Sequence, residues 1–180
     1  MADKRAESCV VCEIIKNNIP SKKIYEDDLA MAVLDFNGAN PGHCFIMPKS
    51  HYPILEHIPD RELANLFQVS NKIASAAFEA IGAQGTNIFI ANGVPAGQTV
   101  AHFVINVIPR KVNDGINLQW TPKQLSEEEM STVELKLKEQ TKNVSVVKEE
   151  KNIAKVDTQK PVFLTEDDDK YFMKQLRRLP

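Results

Sequence analysis

Between Asp60 and about Ala80, apolar residues recur at the three-to-four-residue spacing of a helix. Leu63, Leu66, Phe67, Ile73, Ala74, Ala77 and Ile81 fall on one face. Before and after it, up to about residue 112, the pattern is short runs that suit strands. These are Lys23–Glu26, Leu29–Leu34, His43–Met47 (stopped by Pro48), Thr86–Ala91 and His102–Ile108. One long helix set among short strands has one economical solution. The sheet is antiparallel, with about five strands, and the helix lies across it, an α+β fold. Asp60 is placed to cap the helix, and Gly82 follows its end. A short amphipathic segment, Cys9 to about Asn17, precedes the first strand.

After Arg110 the pattern changes. Asn113-Asp114-Gly115 reads as a turn, and Ser126-Glu127-Glu128-Glu129 as a capping box opening a helix to about Lys142. Residues 143–164 read as a linker, and about 166–178 as a last helix, with acids at its start and Lys174, Arg177 and Arg178 near its end. The organisation expected is therefore a domain over 1–112 and a C-terminal extension over 113–180. A net charge of −2 gives no basic surface for nucleic acid. No apolar run reaches the roughly 20 residues of a membrane span. The charged N-terminus lacks the apolar core of a signal peptide, so a cytoplasmic chain is expected. Three cysteines, an odd count, argue against a disulfide framework.

Cys9 and Cys12 sit in a Cys-x-x-Cys spacing that suits a metal better than a disulfide. With His51 and His102 they make the donor set of a closed tetrahedral zinc site, or else two buried apolar cysteines and two unrelated histidines. Asp35 ends an apolar strand; it suits a sugar hydroxyl, or simply a turn whose backbone it bonds. The loop Asn92–Thr99 carries glycines and short polar side chains that can cradle phosphate, or merely turn the chain. His43 and His57 read as bystanders.

The segment Gly97-Gln98-Thr99-Val100 followed by His102-Phe103-Val104-Ile105-Asn106-Val107-Ile108 resembles the signature of the histidine triad (HIT) family. Further resemblance runs through Ile24–Asp28, Leu34-Asp35, Asn40-Pro41-Gly42-His43, Pro48-Lys49-Ser50-His51 and Asn92-Gly93, over about residues 9–112. The tail from Asn113 is similar, more weakly, to that of archaeal members. The resemblance implies structural zinc on Cys9, Cys12, His51 and His102. It implies a base pocket lined by Val11, Ile14, Val33 and Phe36, ribose bonded by Asp35, and phosphate met by Asn92, Gln98 and Thr99. It implies a purine nucleotide or dinucleoside polyphosphate as ligand, and a homodimer whose two sheets join.

The triad itself departs from the family. Its first position is His102, its second Val104 and its third Asn106. The family's second histidine attacks the α-phosphorus, and valine has no lone pair with which to do so. Asparagine donates a hydrogen bond but cannot carry an imidazole's proton traffic. The expectation is a nucleotide-binding protein without covalent-histidine hydrolase or transferase chemistry. The alternatives are a phosphohydrolase of dinucleoside polyphosphates or nucleoside phosphoramidates using a displaced group, and an interaction module with a decayed pocket.

Overall fold

The computed structural model describes residues 9–142 and Val144. They fall into two compact units that divide between Trp120 and Thr121. In the first unit, α1 (Val10–Ile15) leads into β1 (Lys23–Glu26), β2 (Ala30–Leu34) and β3 (Cys44–Pro48). The long helix α2 (Asp60–Ile81) follows, then β4 (Gly85–Phe89) and β5 (Ile105–Arg110). The sheet order is β1-β2-β3-β5-β4, every neighbouring pair antiparallel. The α+β architecture read from the two periodicities is the one observed.

Strand alternation sorts the core into two layers. Ala30, Ala32, Cys44, Ile46, Ile105 and Val107 join Leu66, Val69 and Ala74 of α2 in one buried cluster. Met31, Val33 and Met47 pack on the opposite face with Val11, Cys9 and Cys12, beside Phe45 and Val104. Small alanines therefore face the helix, where close approach is needed, and bulkier side chains face α1. The stripe on α2 is narrower than its sequence suggests: Phe67 and Ile81 are 44% and 39% exposed.

Three boundaries differ from the sequence expectation. The cap of α2 is Pro59, not Asp60, which becomes the first helical residue and favours the helix dipole from there. Pro48 does not stop β3 but ends it, still paired with Ala30. Finally, β5 begins at Ile105, so His102 and Val104 precede the strand. The last β3–β5 pair is Ile46 with Ile105, because Pro48 has no N–H with which to extend that ladder. Ahead of the strand, the Phe103 N–H turns to the Tyr52 carbonyl at 2.7 Å.

Two glycines shape this unit. Gly82 ends α2 in the left-handed region at φ 63°. Gly42, at φ 86°, lies so close to α2 that a Cβ there would overlap Ile81 Cδ1 and crowd Pro109 Cγ.

In the second unit, α3 (Glu127–Thr141) carries the expected capping box. Ser126 Oγ accepts from the Glu129 N–H at 3.2 Å, while Glu129 Oε2 accepts from the Ser126 N–H at 2.8 Å. The expected linker over 143–164, apart from Val144, and the helix at about 166–178 lie outside the described residues.

Candidate functional site

The short helix α1 brings Cys9 and Cys12 beneath the segment that leads into β5. Cys9 Sγ is 3.6 Å from His102 Nδ1, and Cys12 Sγ is 3.6 Å from the same nitrogen and 3.2 Å from His51 Nδ1. All four ligating atoms lie within 4.8 Å of one another. A tetrahedral ion with bonds of 2.0–2.3 Å to nitrogen and sulfur needs donor–donor edges of roughly 3.3–3.8 Å. The three Cys–His separations lie close to those edges, the widest spacing in the set is up to 4.8 Å, and these four residues could hold a metal. His102 Nε2 donates to the Pro48 carbonyl at 3.0 Å, which leaves the Nδ1 lone pair aimed at the thiols. Burial pushes the Cys12 thiol up to about 11, and neighbouring Cys9 adds to that. Burial pushes His102 down to about 4, against the pull of the Pro48 carbonyl. A metal must therefore displace the Cys12 thiol proton to bind.

Next to the cluster, on the same face of the sheet, is a groove of about 360 Å³. Its apolar wall comes from Val11, Ile14, Phe45, Met47 and Phe89, its polar rim from Asp35, His43, Gln98, Thr99 and Asn106, and Val104 faces into it. Asp35 Oδ1 accepts from the Asn37 N–H at 2.9 Å, closing the turn, while Oδ2 lies 3.6 Å from His43 Nδ1. One oxygen of Asp35 thus serves the turn, and the residue also lines the groove.

The HIT domain family matches residues 16–113. The chain belongs to the HIT family. An adenylylsulfatase of Arabidopsis thaliana is 41% identical over 59% of this chain, but the match takes in only 54% of that relative. A crystal structure of a HIT family member from Bacillus subtilis superposes with a TM-score of 0.69 at 30% identity, over 77% of this chain and 99% of that one. A zinc-bound histidine triad protein of Mycobacterium smegmatis superposes at 0.60 with 33% identity, over 75% of this chain and 96% of that one.

Placed in this HIT chain, the residues singled out in the sequence separate into three groups. Cys9, Cys12, His51 and His102 converge. Val11, Ile14, Asp35, Gln98 and Thr99 line the groove together with Val104 and Asn106. The remaining three lie elsewhere. Val33 is buried in the packing layer beneath, Phe36 is 72% exposed, and Asn92 turns to the connector. There Asn92 Oδ1 accepts from the Leu55 N–H at 2.9 Å and Nδ2 donates to the Glu56 carboxylate at 2.9 Å.

His43 is the residue that sequence reasoning passed over. It is 7% exposed, and its Nε2 lies 3.1 Å from Asn106 Oδ1. The signal was alternation: His43 sits two residues before Phe45, the residue whose strand partner is Asn106.

Proposed function

We propose that this chain binds a purine nucleotide in the groove, holds zinc at the Cys9-Cys12-His51-His102 cluster, and does not run the covalent-histidine chemistry of its family. The observation that carries this reading is Val104, which lines the groove between His102 and Asn106 with methyl groups and no lone pair. The neighbouring imidazoles are already engaged: His102 with the thiols and Pro48, His43 with Asn106 and the Ala39 N–H. Zinc held by four protein ligands supplies folding energy and leaves no open position for substrate. A homodimer is supported by β4 at the sheet edge and by Phe67, Phe78 and Ile88, each more than 40% exposed. Three buried free thiols are consistent with a reducing, cytoplasmic setting, and no helix among the described residues is long and apolar enough to cross a membrane.

The test pairs calorimetry with turnover. The purified chain is titrated with AMP and assayed with adenylyl sulfate, the substrate class of the plant relative. Binding of AMP without sulfate release is the expected result. Steady sulfate release abolished by His43→Ala would return the chain to the hydrolases, and no heat with AMP at millimolar concentration would end the binding assignment.

A further inference from the structure

Helix α3 lacks the support that holds the other long helix in place. It has 15 residues, and every one of them is exposed. Isolated helices of that length are marginal in water, and most helical stability comes from packing an apolar face. Its local supports are the capping box at Ser126 and the surface ion pairs Lys138–Glu134 and Lys142–Glu139. Exposed pairs of that kind contribute little. Met130, Val133 and Leu137 recur at steps of three and four, which puts them in one narrow stripe, and they are 55%, 47% and 60% exposed. Leu135 falls on the opposite side of the helix.

The chain carries a matching stripe in its own sequence. Within 166–179, outside the described residues, Phe172, Leu176 and Leu179 repeat the spacing of four and three. Both stretches also run from acid to base. Glu127, Glu128 and Glu129 open α3, and Lys136, Lys138 and Lys142 lie towards its end. The second stretch opens on Glu166, Asp167, Asp168 and Asp169 and closes on Arg177 and Arg178. Each gradient suits a helix dipole by itself. Laid antiparallel, the two stretches also set acids against bases at both ends, whereas laid parallel they set like against like. The connection over 142–165 is long enough for the return: a coil of about 24 residues spans roughly 25–29 Å, against about 8–10 Å between packed helix axes. Such a tether holds its far end at about millimolar local concentration, which a second copy in dilute solution does not match.

We infer that the apolar stripe of α3 is a docking surface for the chain's own segment 166–179, which lies antiparallel on it and covers Met130, Val133 and Leu137 with Phe172, Leu176 and Leu179. The second unit is then a helical hairpin with a small core of its own. The inference concerns that unit alone and stands or falls independently of the nucleotide reading of the groove.

The test is amide hydrogen exchange on the full chain, compared with Leu137→Lys, Leu176→Lys and Leu135→Lys, each at two protein concentrations. Lysine changes helix propensity little, so the variants differ in which face they charge. In the wild type both α3 and 166–179 are expected to be protected. Leu137→Lys and Leu176→Lys are each expected to speed exchange at least about ten-fold in both stretches, and Leu135→Lys in neither, with β5 unchanged throughout. Reversing the charge with Arg177→Glu plus Arg178→Glu is expected to speed exchange in α3 at low salt and less at high salt. No protection in the wild type, a loss confined to the mutated stretch, or an equal loss from Leu135→Lys overturns the inference. Protection of α3 that falls on ten-fold dilution also overturns it and makes a second copy the occupant. An absent charge-reversal effect at low salt overturns the antiparallel arrangement.

Discussion

Val104 presents a methyl surface to the groove, and His102 and Asn106, two residues to either side, are engaged within the protein. Replacing it together with its neighbour, as Val104→His plus Asn106→His, restores both missing imidazoles. Adenylyl sulfate turnover by that double variant is expected to exceed the wild type by at least about 100-fold, read as sulfate release under saturating substrate. The four-residue cluster makes a separate prediction. Cys12→Ser removes the thiol nearest to His51, at 3.2 Å, and is expected to empty the site of zinc and lower the stability by about 2–5 kcal/mol. Elemental analysis and urea unfolding read the two effects. At this scale the donor types were legible in the sequence, because two thiols and two imidazoles are a recognisable set. Their convergence was not, since 93 residues separate Cys9 from His102 and only the folded chain closes that distance. The pairing of His43 with Asn106 was hidden for the same reason: it depends on a strand register that no local pattern states.

Among the elements, the helix α2 and the five strands were all legible, because periodicity in a half-buried element is a property of its own residues. The boundaries were less so, and β5 shows why. Its start is set by a proline on β3, a residue 57 positions away from Ile105 in the partner strand. The far end of β5 is tied by Arg110, whose guanidinium grips Asp114 in the following turn. Asp114 also accepts from Asn40 Nδ2 at 2.8 Å, joining this turn to the loop before β3. The hydrogen bonds from Arg110, and then those from Ile116 and Asn40, hold the Asp114 carboxyl well below the usual carboxylate range. A carboxyl depressed by folding stabilises fully above its unfolded value of about 4, and that stabilisation is lost as pH falls through the lower folded value. Asp114→Asn is therefore expected to unfold at lower urea than the wild type at pH 7. The two midpoints should draw together as the pH is taken from 4 towards 2.

At the scale of the whole molecule, β4 is an edge strand of the sheet among the described residues, and α2 leaves Phe67 and Phe78 exposed. Sedimentation is expected to give about twice the chain mass of 20.2 kDa. Ile88→Lys, a charge placed on the edge strand, is expected to shift the chain to monomer while leaving its far-UV spectrum unchanged. The cluster that ties α1 to the approach of β5 also has a consequence in time. A ribosome delivers Cys9 and Cys12 first and His102 last, 93 residues later, which at 5–20 residues per second is roughly 5–20 s. Throughout that interval the thiols lack their final partner and are open to oxidation or to a passing soft cation. A metal held by all four residues would therefore be acquired only at the close of synthesis, and if that metal is zinc, as proposed, the yield of loaded protein should depend on how reducing, and how well supplied with zinc, the cell is while the chain is being made.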